Sequence, residues 1–193
     1  QAGTEILKAG RTSTVAKIQL DNKILIVKRS NVKNMWHWLR RCFRPTRAKT
    51  SWRLAHLLRL FGISTAKPVA FIEKRFLGLR NKSYFVMEYV DGNHIGDYFS
   101  AYQEDNVEFA KIAVRVEMLL KNLVKLNLSH GDLKKTNILI SQGRPVLLDL
   151  DGMSEHRDQR EAKRAYHGEV KRFLKNWENR PNVYALFENL LQE

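Results

Sequence analysis

His130-Gly131-Asp132-Leu133-Lys134-Lys135-Thr136-Asn137-Ile138-Leu139-Ile140, followed by Val146-Leu147-Leu148-Asp149-Leu150-Asp151-Gly152, sets a polar loop between apolar elements. Upstream, Glu108 to Leu126 reads as a helix, with Ala110, Ala113, Val114, Val116, Met118, Leu119, Leu120 and Leu123 as its apolar face. Ile138 to Ile140 and Val146 to Leu148 read as a small hairpin turning at Gln142-Gly143. The loop from His130 to Thr136 offers one Asp and one Lys, Asn137 follows it, and the hairpin delivers another Asp at the end of an apolar strand.

Working outward, Glu5 to Ala9, Val15 to Leu20 and Lys23 to Lys28 read as three short antiparallel strands. The first two flank the polar segment Gly10 to Thr14, and Asp21-Asn22 marks the second turn. A helix from Arg47 to Phe61 is ended by Gly62. Pro68 to Glu73 and Tyr84 to Tyr89 read as strands joined by a basic turn, Lys74 to Lys82, and Asp91-Gly92-Asn93 is a turn signal. The tail from Gln159 to Glu193 reads as charged helix divided at Pro181. Strands, helix, strands and then mostly helix make an α+β chain of two lobes, with a boundary expected between residues 1–90 and 91–193.

Composition narrows the partners. A 44% hydrophobic content in 193 residues is enough for a core. With 34 Lys and Arg against 20 Asp and Glu, the net charge of +14 favours an anionic partner: nucleic acid, an acidic membrane face or a phosphorylated substrate. No recognised nucleic-acid-binding module is present. The single cysteine, Cys42, excludes an intrachain disulfide and a cysteine zinc cluster and reads as an apolar filler. No apolar run approaches the ~20 residues of a membrane helix, and no signal-peptide pattern is visible. From Lys33 to Lys49, Trp36, Trp38 and Phe43 interleave with Arg and Lys. That stretch suits an anionic lipid surface, a cradle for a phosphorylated sugar, or a helix with core tryptophans and solvated arginines.

The loop and hairpin hold the parts phosphoryl transfer needs. One carboxylate must orient the attacking hydroxyl and take its proton; an amide and a second carboxylate must hold Mg²⁺ against the phosphates; a cation must offset the charge on the transferred group. Asp132, Asn137, Asp149 and Lys134 fit these roles in that order. Asp151 reads as either a second metal ligand or a structural carboxylate.

His-Gly-Asp-Leu-Lys-x-x-Asn-Ile-Leu resembles the catalytic loop of the protein-kinase-like superfamily, with His-Gly-Asp in place of His-Arg-Asp. Asp149-Leu150-Asp151 resembles its Asp-Phe-Gly, and Phe85 to Val90 its hinge strand. The resemblance implies a compact two-lobe kinase fold using ATP and Mg²⁺. Gly10, Thr12 and Ser13 would lie at the phosphates with Lys28, and Met87, Glu88 and Tyr89 at the adenine, the last two through their backbone. Lys23 and Lys17 are the alternatives to Lys28 if the strand register slips. His130 would brace the loop.

Arg44 to Trp52, with Gly62 to Pro68, further resembles the bacterial lipopolysaccharide core kinases, which phosphorylate heptose or Kdo sugars. This likeness runs from about Leu7 to Leu174. It implies an anionic sugar acceptor and a cytoplasmic location, with peripheral contact to the anionic inner face of the inner membrane. The chain departs from the wider superfamily in four ways. The phosphate loop has one glycine, the helix after Arg47 has no Glu to position Lys28, no Ala-Pro-Glu follows, and only 44 residues come after Asp149. Two other readings stay open: a minimal atypical protein kinase of the His-Gly-Asp type, and a non-catalytic pseudokinase used as a binding module.

Overall fold

Short β-branched runs punctuated by tight turns build the first part of the chain. In the computed structural model, which describes residues 3–31, 44–76, 78–101 and 106–191, Thr4–Ala9 (β1), Ser13–Leu20 (β2) and Lys23–Ser30 (β3) form an antiparallel meander. Asp21 turns the chain between β2 and β3 at a φ of 52°. The helix Arg47–Leu60 (α1) starts at Thr46, whose hydroxyl accepts from the Lys49 N–H, a cap worth about 1 kcal/mol. Pro68–Phe76 (β4) and Leu79–Glu88 (β5) complete a five-stranded sheet in the order β1-β2-β3-β5-β4.

Most of the expected basic turn from Lys74 to Lys82 is strand. Arg75 pairs with Arg80, and the chain reverses only beyond Phe76. A run of cations does not break a hairpin whose side chains stay in solvent; it changes only what the exposed face carries. The aromatic and basic stretch 33–43, including Trp36, Trp38, Cys42 and Phe43, lies outside the described residues.

The chain divides into two compact units. One holds Gln1–Phe61 and Thr65–Val90; the other holds Gly62–Ser64 and Asp91–Glu193. In the second, Asn93–His94 (β6) leads into the short helix Ile95–Tyr98 (α2) and then into Val107–Lys125 (α3). Asn106 caps α3 through the Glu108 N–H, and Asn127, in the left-handed region, lies just past its C-terminal end. The buried stripe of α3 is Ile112, Ala113, Val116, Leu119, Leu120 and Leu123. Val114 and Met118, expected on the core face, are 40% and 56% exposed. They sit about 100° around the helix from the stripe, so the apolar residues outnumber what one face can bury.

Leu128–Ser129 (β7), Ile138–Ser141 (β8), Arg144–Leu147 (β9) and Ser154–Glu155 (β10) are short pieces; β6, β8 and β9 pair in one sheet, and β7 pairs with β10. Gln142 and Gly143, both at positive φ, make the β8–β9 turn at the position expected from sequence. The tail forms two helices, Gln159–Lys175 (α4) and Pro181–Leu191 (α5), with Pro181 at the first position, where its missing N–H costs nothing. Phe99, Phe173, Trp177 and Phe187 interlock as the aromatic core of this unit, with ring centroids 5.1–5.9 Å apart. Arg180 ties the tail to this core by donating to the carbonyls of Phe99 and Ser100. The mixed α and β composition expected from sequence is what the chain adopts.

Candidate active site

In the second unit, the polar loop is held at both ends. At its start, β7 pairs with β10, and His156 Nε2 meets Ser129 Oγ at 2.8 Å. At its end, Asn137 enters β8, its N–H bonded to the Lys134 carbonyl. The hairpin places Asp149 beside Asn137: the Leu148 N–H donates to the Asn137 carbonyl at 2.9 Å, just beyond the Ile138–Leu147 pair. Both residues therefore sit at the open end of the hairpin, opposite the Gln142-Gly143 turn.

Asn137 is 5% exposed. Its Nδ2 donates to the Asp132 carbonyl at 2.8 Å and lies 3.4 Å from Asp132 Oδ2. Only an amide nitrogen can serve those two acceptors, so Oδ1 is the atom left to face a cation. Asp132 is exposed, and Lys134 Nζ lies 2.6 Å from its Oδ2. Both side chains are about half exposed, so the pair contributes little stability.

Asp149 adopts φ 60°, ψ 56°, a left-handed conformation that costs a non-glycine residue about 1–2 kcal/mol. Strain of this kind persists where surrounding structure holds it, and the peptide just before Asp149 is held. His130 is fully buried, and its Nε2 lies 2.8 Å from the Leu148 carbonyl. A carbonyl only accepts, so Nε2 carries the proton, and the ring is a brace between loop and hairpin. Leu150–Gly152 then forms a single 3-10 turn carrying Asp151.

Glycine explains how closely these two segments meet. Gly131 has φ +80°, and a Cβ there would sit 2.9 Å from the carbonyl carbon of Gly152 and closer still to its oxygen. The contact is backbone on backbone, so no side chain can swing aside. The middle position of His-Gly-Asp accordingly has no room for a side chain.

One buried acid beside the loop was not legible in the sequence. Glu169, on α4 and 3% exposed, accepts a close hydrogen bond from the Gly131 N–H. Its signal was an acid within the buried stripe of α4, beside Ala162, Val170 and Phe173. In a tail rich in charge it passes for a solvated residue.

In the first unit, the segment after β1 is shaped by residues the sequence reading did not single out. The Gly10 N–H donates to the Ser13 carbonyl at 2.9 Å, closing the turn, and a Cβ at Gly10 would lie 3.0 Å from that oxygen. Asn31 Nδ2 donates to the Gly10 carbonyl at 3.1 Å, and the Asn31 N–H donates to the Thr12 carbonyl. Arg29 supports both sides, donating to Asn31 Oδ1 and Thr14 Oγ1. Thr12 and Ser13 are thus held in a defined turn.

Lys28 pairs across the sheet with Val15 and Phe85, and residues directly opposite share a face. Phe71 and Glu73 project on that same face, where α1 packs: the Trp52 ring lies tilted against Phe71 with centroids 5.6 Å apart, and Thr46 donates to Glu73 Oε1 at 2.6 Å. No carboxylate occurs on α1, as read from the sequence, and Ser51 on its inner side is buried. On the hinge strand, the Glu88 N–H donates to the Lys67 carbonyl and the Tyr89 N–H to the Ile24 carbonyl, both at 2.9 Å. Both N–H groups are therefore engaged within the sheet, so a backbone contact to a base from these two residues would be made by their carbonyl oxygens. The Glu88 carboxylate is held below its usual range by the hydrogen bond from Lys67 at 2.9 Å, and Lys17 Nζ sits 4.7 Å over the Tyr89 ring. Met87 faces the same side of the sheet as Ile26 and Lys28.

Comparison with known families now bears on this geometry. The model of the lipopolysaccharide kinase (Kdo/WaaP) family matches residues 8–192. The chain belongs to that family. It is a kinase, a phosphotransferase that acts on lipopolysaccharide. A solved structure titled "WaaP in complex with acyl carrier protein" superposes with a TM-score of 0.68 at 12% identity, covering 100% of this chain and 80% of that one. At that identity the likeness speaks for the fold, which is the two-lobe kinase-like fold expected from the loop and hairpin. A comparison with curated proteins found no match. No helix among the described residues is long and apolar enough to cross a membrane.

Proposed function

We propose that the chain transfers the γ-phosphate of ATP to a hydroxyl of a lipopolysaccharide-core sugar, with Mg²⁺ as the metal. The observation that carries this reading is the cluster at the open end of the β8–β9 hairpin. Asn137 is locked by Asp132 so that Oδ1 is its free face, and Asp149 is kept in a strained conformation beside it. Among the described residues no three His, Cys, Asp or Glu side chains group as a metal cage. Mg²⁺ does not ask for one: it takes one or two carboxylates and fills its remaining positions with phosphate oxygens and water. Asn137 and Asp149 suit that demand, and Asp151 is the further carboxylate within the same turn. Bound there, the metal would neutralise charge on the phosphates.

The Asp132 carboxylate orients the acceptor hydroxyl and takes its proton as the oxygen bonds to the γ-phosphorus. The bond from phosphorus to the bridging oxygen breaks, and ADP leaves. Lys134, now on Asp132, offers its charge to the transferred group. Gly10, Thr12 and Ser13 supply donors to the phosphates together with Lys28. Met87 packs against adenine, and Glu88 and Tyr89 contribute carbonyl oxygens. The net charge of +14 suits an anionic acceptor and peripheral attachment to an anionic membrane surface on the cytoplasmic side.

Thermal unfolding with ATP, with and without Mg²⁺, tests the reading. Saturating nucleotide should raise the midpoint, more so with the metal, and Asp132→Ala should keep that shift while losing transfer. A chain that ATP does not stabilise under either condition is a scaffold and not a catalyst. Labelling of protein with no labelling of lipopolysaccharide would replace the acceptor named here.

A further inference from the structure

The outer face of α4 carries charge that the fold does not answer. Its buried side, with Ala162, Val170, Phe173 and Leu174, packs against α3, β7 and α5. Arg160, Lys163, Arg164, Lys171, Arg172 and Lys175 are exposed on the other side. No ion pair among the described residues engages any of them. Of the two acids on the helix, Glu161 turns back to the Arg157 N–H and Glu169 is buried. Helix α3 shows the ordinary arrangement: Lys111 pairs with Glu108 and Lys121 with Glu117, both at 2.7 Å. On α4, like charges four residues apart, Arg160 with Arg164 and Lys171 with Lys175, repel and weaken the helix. Arg160 also stands in the first turn, where the helix dipole disfavours a cation. An anionic partner would relieve both costs. Helical geometry puts Arg160, Arg164, Lys171 and Lys175 within an arc of about 60° and along about 22 Å. Gly168 borders this arc with nothing within 4 Å of its Cβ position, so no side chain rises between Arg164 and Arg172.

We infer that the outer face of α4 is the surface by which this chain lies on an anionic lipid bilayer. The inference rests on the peripheral attachment proposed above and gives it a place; it does not depend on phosphate transfer. A straight line of cations that long exceeds any single small anion and matches a plane of many phosphates. The arc holds no Trp, Phe or large aliphatic side chain, so it lacks both a stacking platform for single-stranded nucleic acid and an apolar anchor for a protein. Its one ring, His167, is turned onto the Lys163 carbonyl, 2.6 Å from Nδ1. With no apolar wedge to insert, the helix rests at the headgroups by charge alone. A bilayer is favoured over duplex nucleic acid because lipopolysaccharide, on which this family acts, is itself lipid-borne.

Flotation of the full chain with vesicles is the test. Wild type should float with vesicles of equal parts phosphatidylcholine and phosphatidylglycerol and stay behind with phosphatidylcholine alone. Salt at ~1 M, where charges are screened beyond about 3 Å, should release it. Each cation at an anionic membrane surface is worth about fivefold in affinity. Arg160→Gln, Arg164→Gln, Lys171→Gln and Lys175→Gln combined should therefore weaken binding about 10²–10³-fold, and Lys171→Gln alone about fivefold. The control combines Lys8→Gln, Lys74→Gln, Arg75→Gln and Lys82→Gln, exposed cations of the first unit, and has the same net charge. It should bind within about twofold of wild type, because charges remote from the contact are screened. Equal weakening in the two combined variants would keep the attachment but remove it from α4. Wild type that floats with neither vesicle would end both the attachment and its placement. Duplex DNA at equal phosphate that strips wild type from the vesicles would make nucleic acid the occupant instead. Should the combined α4 variant fail to fold, Lys171→Gln decides. Should wild type transfer no phosphate, the catalytic reading fails and the flotation result still stands.

Discussion

Replacing Gly131 by alanine adds one carbon atom at the tightest point of the active-site scaffold. Two costs follow. The φ of +80° is unfavourable for any residue with a Cβ, by about 1–2 kcal/mol. The new Cβ would stand 2.9 Å from the Gly152 carbonyl carbon and closer still to its oxygen, so the two segments must part by more than the ~0.6 Å that would restore carbon packing at ~3.5 Å. Overpacking of that sort costs about 1–3 kcal/mol. The sum, about 2–5 kcal/mol, is a large share of a total stability of roughly 5–15 kcal/mol, so the variant should fold but unfold at markedly lower urea. The separation also moves Asp132 away from Asp149, and transfer should fall about 10²-fold. Urea titration and labelled phosphate transfer, both at a temperature where the variant is folded, measure the two effects. A Gly131→Ala protein within 0.5 kcal/mol of wild type (well below the ~2 kcal/mol minimum summed above) and with full activity would refute the reasoning.

Other substitutions separate local causes. Gly168→Ala, on α4 with nothing within 4 Å of its Cβ, should raise stability by about 0.5–1 kcal/mol in the same titration and leave transfer unchanged. Asn31→Ala removes the donor to the Gly10 carbonyl; calorimetry should find ATP binding several-fold weaker and the fold about 1 kcal/mol less stable. Burial, with a further push from Glu117, raises the Tyr166 phenol to about 12. The unfolded chain therefore ionises first, and wild type should lose stability as pH rises from the ordinary tyrosine value of 10.0 toward about 12. In Tyr166→Phe that part of the alkaline loss should vanish from the pH dependence of the unfolding midpoint.

How far the sequence could be read depended on how local each cause was. The β8–β9 hairpin, its Gln142-Gly143 turn and the loop ahead of it were legible because turn chemistry and apolar runs act over a few residues. The kinase-like fold followed from motifs in that stretch, and the likeness to the lipopolysaccharide kinase family from Arg44 to Trp52 and Gly62 to Pro68. Val114 and Met118 were misassigned to the core because α3 carries more apolar residues than its buried stripe holds. The β4–β5 hairpin runs through a segment whose basic residues read as a loop. Glu169, Arg29 and Asn31 were out of reach because their roles exist only once distant segments meet: Glu169 lies 38 residues from Gly131, and Asn31 lies 21 from Gly10. The occupied N–H groups of Glu88 and Tyr89 depend likewise on pairing that spacing does not reveal.

The most direct test of the central claim is transfer from γ-labelled ATP to purified lipopolysaccharide core, comparing wild type with Asp132→Asn, with Mg²⁺ and with chelator. Label should enter the sugar only when metal is present, and Asp132→Asn should reduce the rate by about 10²–10⁴-fold, the usual worth of a general base. Transfer by Asp132→Asn at the wild-type rate, or transfer indifferent to chelation, would contradict the account.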